Sequence, residues 1–326
     1  MNACLANKLF FLVFLVTSLL LGGYAYAENK TNKYANKIAI FYPQAKEPYN
    51  SIYQNIIAGS IEAANNNKIN IEKFIIKKNF NVEGIAKNLE QKHINKVIVL
   101  GRSGWKLAKQ LSKFTLDNQT NKFQVVSGAL PINPNGVSGI SLITDPAYLF
   151  HYLQQVAPNV KKIHAAYSKK NAWLIALAKN AAQAKGLTLN LQQVIDTAEA
   201  ITFYQQVFAS GVSNKDAIWL PFDRISSHDK ITLPLILEKA WAKEIVVFSS
   251  KPSHAKRGAL FSTYPDNFAL GAHLFKMVQE LAQQPEQKNF AALKSTLLAV
   301  NLRTAAHLGL KYSSEQQQLF KLTFPQ

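Results

Sequence analysis

Ser103 and Gly104 stand where the apolar run Val97-Ile98-Val99-Leu100 gives way to a helical pattern. A hydroxyl beside free backbone N–H groups at a strand-to-helix turn is chemistry that holds a carboxylate or another anion. Arg102 adds a planar guanidinium suited to bidentate contact with such a group. The same three residues also serve as an ordinary helix start with a solvent-facing arginine. Asp223 lies just past a second apolar run, Ala217-Ile218-Trp219-Leu220, in a chain with only 19 acidic residues. A carboxylate there takes an ammonium or hydroxyl donors, and Arg224 beside it is the natural member of some other ion pair. Tyr42, Tyr49, Trp105, Phe222 and Tyr264 fall at strand ends or just after them. Rings in such places wall a binding cleft at small ordering cost, or pack locally. Asn50 and Ser51 open the first helix and Asn171 precedes its counterpart in the second half, so they face a ligand from opposite sides or act as caps.

Other chemistry is poorly supported. The histidines at 93, 151, 164, 228, 254, 273 and 307 are scattered and show no H-E-x-x-H arrangement, and the single cysteine is Cys4. No metal and no cofactor is expected. There is neither a G-x-S-x-G elbow nor a phosphate loop with its lysine. A Ser/His/Asp set assembled in space leaves no sequence signal, so an exported hydrolase stays open as a minor reading. It requires a convergent nucleophile and base in the cleft.

The elements that position these residues alternate. Lys37 to Tyr42 reads as a buried strand ended by Pro43, with a helix from about Ser51, a strand over Ile69 to Ile76, a helix over Val82 to Gln91 and a strand over Val97 to Gly101. A helix carrying Trp105, Ala108 and Leu111 and a strand over Phe123 to Val126 complete the first half. After the turn-rich stretch Pro131 to Gly139 and the strand Ile140 to Ile143, Asp145-Pro146 signals a capped helix, and the alternation restarts at Ile163. Asp266 is a second cap, following a short strand over Ala259 to Thr263. The tail, Ser313 to Gln326, reads as a closing helix. Short links between alternating strands and helices imply parallel sheets covered on both faces. Two such units in series imply a bilobed protein with a cleft.

Lys8 followed by the apolar run Leu9 to Leu21 and the small-x-small ending at Ala27 reads as a signal peptide, cleaved after residue 27. A retained anchor is the alternative. Cleavage removes Cys4, leaves no lipobox cysteine and no disulfide, and makes the periplasm the expected location. The net charge of +18 is spread over many segments, which disfavours nucleic acid as a partner.

The order and spacing of Gly136-Val-Ser-Gly-Ile140, Val160-Lys-Lys-Ile163, Lys185-Gly-Leu187, Asp216-Ala-Ile218 with Asp223, Gly258-Ala-Leu260 to Gly271, Val300-Asn301 to Ala305 and Leu308-Gly309-Leu310 resemble a known family. It is the group of ABC transporter substrate-binding proteins that includes tryptophan and tyrosine binders. The resemblance covers nearly all of the chain after the leader. It implies an α/β, bilobed type I periplasmic-binding-protein-like fold with two Rossmann-like lobes, parallel central sheets and a ligand cleft between them. The implied lobes are 28–143 and 144–262, with 263–326 supplying return crossings, a helix and a C-terminal segment packed largely on the first lobe. Crossings are expected near Ile140 to Thr144, near Leu260 to Tyr264, and before or around Ala299 and Asn301. The implied function is non-enzymatic: a monomer captures a small molecule, an amino acid or related small carboxylate and possibly aromatic, by lobe closure, and delivers it to the membrane permease of an ABC importer. The same fold also suits a ligand sensor feeding a membrane signalling receptor. Arg102, Trp105 and Leu142-Ile143-Thr144 depart from the family's usual residues and point away from a standard aromatic amino acid.

Overall fold

The structure, a computed structural model, describes residues 36–114, 123–134, 136–284 and 289–325. The expected signal peptide lies outside them. In the first half β1 (Lys37–Pro43), α1 (Tyr49–Asn66), β2 (Asn70–Ile76), α2 (Val82–Gln91), β3 (Lys96–Leu100), α3 (Gly101–Leu111), β4 (Gln124–Leu130) and β5 (Ser138–Thr144) follow one another. The second half contains α4 (Pro146–Val156), β6 (Lys162–Ser168), α5 (Ala172–Ala184), β7 (Thr188–Val194), α6 (Thr197–Ala209), β8 (Asp216–Leu220), α7 (Thr232–Ala242), β9 (Val246–Ser249) and the single turn α8 (Ser253–Lys256). The chain then runs through β10 (Phe261–Pro265), α9 (Asn267–Gln283), β11 (Phe290–Leu293), β12 (Thr296–Asn301), α10 (Leu302–His307), α11 (Ser314–Gln318) and β13 (Phe320–Phe324).

Two sheets result. The first has the order β11-β5-β4-β3-β1-β2 and is parallel throughout. The second, β13-β12-β10-β9-β8-β6-β7, is parallel except for the β10–β12 pair. Side-chain alternation along each strand decides what covers each face. Ile38 and Ile40 join α1 and α9 through Ile56, Leu270, Leu274 and Val278, whereas Ala39 and Phe41 join α2 and α3 through Leu89, Leu107 and Leu111. The second sheet is divided the same way. Ala217 and Trp219 pack with α4 and α5, and Ile218 and Leu220 with α6 and α7. Trp219 is fully buried, meets Phe150 edge-on at 5.5 Å, and donates its indole N–H to Ser250 Oγ at 3.2 Å.

The chain passes between the sheets at Thr144-Asp145, at Pro265-Asp266 and at Lys294-Ser295. The third passage precedes Ala299, because Ala291 and Leu293 form a strand on β5 within a stretch whose composition alone reads as polar loop. Asp145 and Asp266 cap α4 and α9 as expected, accepting from the N–H groups of Ala147 and Ala269. The tail corrects two expectations. It does not pack largely on the first lobe: Phe320–Phe324 pairs in parallel with β12 and forms the edge of the second sheet. Nor is it one closing helix, since the Ser313–Gln316 capping box sustains only five helical residues before Leu322 and Phe324 turn in against Ala299 and Ala255.

Helices α1 and α9 bring the return segment onto the first sheet at unusually close range. A Cβ on Gly271 would fall on the Ile56 carbonyl oxygen, one on Gly59 would fall on that of Phe268, and Ser60 Oγ donates to Gly271 O at 2.9 Å. Both obstacles are backbone, so side-chain repacking offers no relief. Gly271→Ala is expected to cost about 1–3 kcal/mol, whereas Gly84→Ala, on the exposed α2, should be neutral or stabilising. Urea unfolding of both variants tests this, and equal midpoints would refute the close approach.

Candidate functional site

In each lobe the strand order reverses direction at one point, between β1 and β3 in the first sheet and between β6 and β8 in the second. Loops leaving the carboxyl ends of the strands on either side of such a point diverge and leave a crevice. In the first lobe these loops are 44–48, and Gly101 to Ser103. Gly101 has φ +70°, which lets β3 turn into α3 without a linker, and a Cβ on it would lie 2.5 Å from the Tyr53 hydroxyl. A cavity of about 470 Å³ opens here, lined by Pro43, Ile76, Lys77, Lys78, Arg102 and Lys106, with Ser103 at its wall.

Other residues selected from the sequence in this lobe have local roles. Glu47 accepts from Asn50 Nδ2 at 3.1 Å and from the Ser51 hydroxyl at 2.6 Å, which ties both side chains to the start of α1. Tyr49 is 62 % exposed beside them. Tyr42 packs on the core shared with α1 and α9. Gly104 fits α3 against β3, where a Cβ would meet Val99 C at 3.0 Å. Trp105 is half-buried with Lys109 Nζ 4.5 Å over its ring, and its indole N–H has no partner among the described residues.

In the second lobe the structure brings three selected residues together. Asp223 is 8 % exposed and its Oδ2 accepts from Ser168 N at 2.7 Å and Asn171 Nδ2 at 2.8 Å. Its Oδ1 accepts from Ile225 N at 2.8 Å and Ser226 N at 3.3 Å, and Asn171 also donates to Phe222 O at 3.3 Å. Burial alone would raise the Asp223 pKa. The bonds from Ser168, Ile225 and Asn171 outweigh it and hold the carboxyl below its ordinary value. The carboxylate thus pins the loop after β6 to the loop after β8.

A second polar cluster was not visible in the sequence, because its members are spread over 26 positions without a motif. Asp229 accepts from Lys251 Nζ and lies 2.9 Å from His254 Nε2, and His254 Nδ1 lies 2.8 Å from Ser249 Oγ. Burial pushes the His254 pKa down, only partly offset by Asp229. Asp229 is driven up by burial, but the bonds from Lys251 and His254 prevail and bring it to about 2. A serine, histidine and aspartate in series invite comparison with a hydrolytic triad. Ser249 is wholly buried, however, and its hydroxyl donates to Leu220 O at 3.1 Å, so no substrate reaches it. Among the described residues no group of three or more His, Cys, Asp or Glu is placed to hold a metal ion, and no helix is long and apolar enough to cross a membrane.

The lobes meet at several points. A cavity of about 590 Å³ has Pro131 of the first lobe on one side and Phe222, Arg224, His228, Lys230 and Lys251 of the second on the other. Asn133 Nδ2 donates to Lys170 O at 2.6 Å, and Trp173 on α5 meets Phe290 on β11 edge-on at 5.7 Å. Tyr264, at the end of β10, packs against the cluster of Ala255, Ala299 and Phe324. Phe222, Asp223 and Arg224 therefore share the inter-lobe cavity, Arg102 and Ser103 share the first-lobe cavity, and Tyr42, Gly104 and Tyr264 serve packing.

The two polar clusters predict acid sensitivity with a definite sign. His254, Asp223 and Asp229 all have folded pKa values below their ordinary ones, so the unfolded chain takes up their protons first. Their stabilisation is complete above about pH 6.5 for the histidine and above about pH 4 for the aspartates. It is lost as pH falls through the folded values. Melting temperature should decline first below about pH 6.5 and again below about pH 4, and His254→Gln should abolish the first decline. An unaltered profile in that variant would refute the assignment.

A model of the family described as ABC transporter substrate binding protein matches residues 126–320. No curated protein matches the chain. Among solved structures, a ligand-free, open substrate-binding protein with adhesive properties from Clostridium difficile aligns at 15 % identity and TM-score 0.56 over 86 % of this chain and 97 % of its own. An ABC domain in complex with L-Trp from Streptococcus pneumonia aligns at 19 % identity, TM-score 0.48, over 89 % and 99 %. A conserved domain protein from Vibrio cholerae aligns at 17 % identity, TM-score 0.47, over 88 % and 99 %. The fold is the bilobed type I periplasmic-binding fold. A family match spanning more than half of the chain, on this two-lobed fold, places it: the chain belongs to the ABC transporter substrate-binding proteins.

Proposed function

We propose that this protein is the periplasmic capture component of an ABC importer, a monomer that closes its lobes on an amino acid or related small carboxylate and presents the closed form to a membrane permease. The observation that carries this role is the inter-lobe cavity of about 590 Å³, bounded by Pro131 on one lobe and by Phe222 and Arg224 on the other. Its size falls in the range for small-molecule sites, and its walls come from two lobes that the chain connects at three passages. Ligand contacts made with both lobes at once favour the closed arrangement by their differential free energy, without any covalent step. Asn133 Nδ2 to Lys170 O, at 2.6 Å, is a contact already made between the lobes beside this cavity.

The purified protein should be screened by thermal shift against amino acids, small carboxylates and nucleosides, before and after unfolding and refolding to strip carried ligand. A ligand present at 100 times its Kd adds about 2.7 kcal/mol, a rise of roughly 5 °C for a chain of this size. Arg224→Ala should diminish the rise by removing a cavity cation. A flat response to all three classes, with no molecule released on unfolding, would refute the capture role.

A further inference from the structure

We infer that the captured ligand is a compact dianion, a dicarboxylate or a phosphate monoester, held on the first lobe by Arg102, Ser103, Lys77, Lys78 and Lys106. The inference rests on the capture role and names the ligand class for it.

Three observations carry it. First, the cavity at the carboxyl ends of β1 to β3 is walled by four cationic side chains, and among the described residues none of the four has an acidic partner. Four like charges around one space of about 470 Å³ repel one another, and an anion placed between them relieves that repulsion. Second, carboxylates on this and the other loops at strand ends are already committed. Glu47 accepts from Asn50 and Ser51, Asp196 from Glu199 N, Asp223 from four N–H groups, and Asp229 from Lys251 and His254. A ligand ammonium finds no free carboxylate there, which argues against a zwitterion recognised through Asp223.

Third, the two lobes treat matching positions differently. Ser103 is the third residue past the end of β3, and Asp223 is the third past the end of β8, the strand that occupies the same place in its sheet. In the second lobe the protein's own carboxylate takes the place between the two loops and is gripped by donors from both. In the first lobe the corresponding side chain is a short hydroxyl with no charge, and the charged residues that line its cavity are all cationic. The second lobe shows how this kind of crevice binds a carboxylate. The first leaves the equivalent place open and adds the cations that an external anion requires.

The test is calorimetric titration of the purified protein with succinate, glucose 6-phosphate, inorganic phosphate, L-tryptophan and glucose at two salt concentrations. Succinate or one of the phosphates should bind saturably at one site, more weakly in high salt. Arg102→Ala, and separately Lys77→Ala with Lys78→Ala, should each weaken it at least about tenfold. Lys239→Ala with Lys243→Ala, at the far end of α7, removes as much charge away from the cleft and should leave binding unchanged. Succinate and the phosphates separate the carboxylate source from the phosphate source. Equal weakening by the far pair would reduce the effect to bulk charge and overturn the inference. Binding of L-tryptophan or glucose that is indifferent to Arg102→Ala would overturn it while leaving capture intact. If no probe binds and nothing is released on unfolding, both fall together.

Discussion

Everything in this molecule depends on three strands of backbone running side by side between the two sheets. Thr144 and Thr263, each 1 % exposed, share a hydrogen bond at 2.8 Å between their hydroxyls. Asp145 N donates to Leu293 O at 2.8 Å, and Asp266 N donates to Ser295 O at 3.0 Å. Each passage is thus bonded to another, and two of them lead straight into a helix capped by the aspartate at the passage itself. The caps fix the directions in which α4 and α9 leave. Whatever motion the lobes make must be absorbed by rotation about a few backbone bonds here, since the cores on either side are close-packed.

That constraint explains why the return helix is so tightly seated. α9 belongs by sequence to the chain leaving the second lobe, yet its apolar face completes the core of the first. Gly59 and Gly271 let the two helix backbones touch, and Ser60 satisfies its hydroxyl on the neighbouring helix. A rigid first lobe needs that closeness, because a helix held only by a hinge on each side would otherwise slide. The first-lobe cavity borders equally regular elements, with α3 springing directly from β3 through Gly101.

The lobes share a plan and use it unequally. On the second, Asp223 is buried against four donors, and Asp229 holds Lys251 and His254. These clusters hold the loops after β6, β8 and β9 in place. On the first, the charged residues lining the cavity are Arg102, Lys77, Lys78 and Lys106, all cationic. Two copies of one α/β plan within a single chain thus carry different polar groups at their strand ends.

Alternating apolar runs and caps determined the elements, and with them the doubly wound lobes, because a strand buried on both faces must be apolar at every position and a helix start needs an acceptor at its first turn. The caps at Asp145 and Asp266 were legible for that reason, as was the interest of the strand ends near Ser103 and Asp223, while the family was legible only through the resemblance of short motifs such as Gly258-Ala-Leu260 to Gly271. Partnerships between distant positions were not. That Asp223 spends its oxygens on Ser168, Asn171, Ile225 and Ser226, that Asp229 joins His254, and that Phe320 to Phe324 becomes a strand on β12 all depend on which loops fold against each other. The sequence shows a carboxylate in a favourable place. Only the tertiary structure decides whether its lone pairs remain for a ligand, because hydrogen-bond capacity is spent in space and leaves no periodicity along the chain.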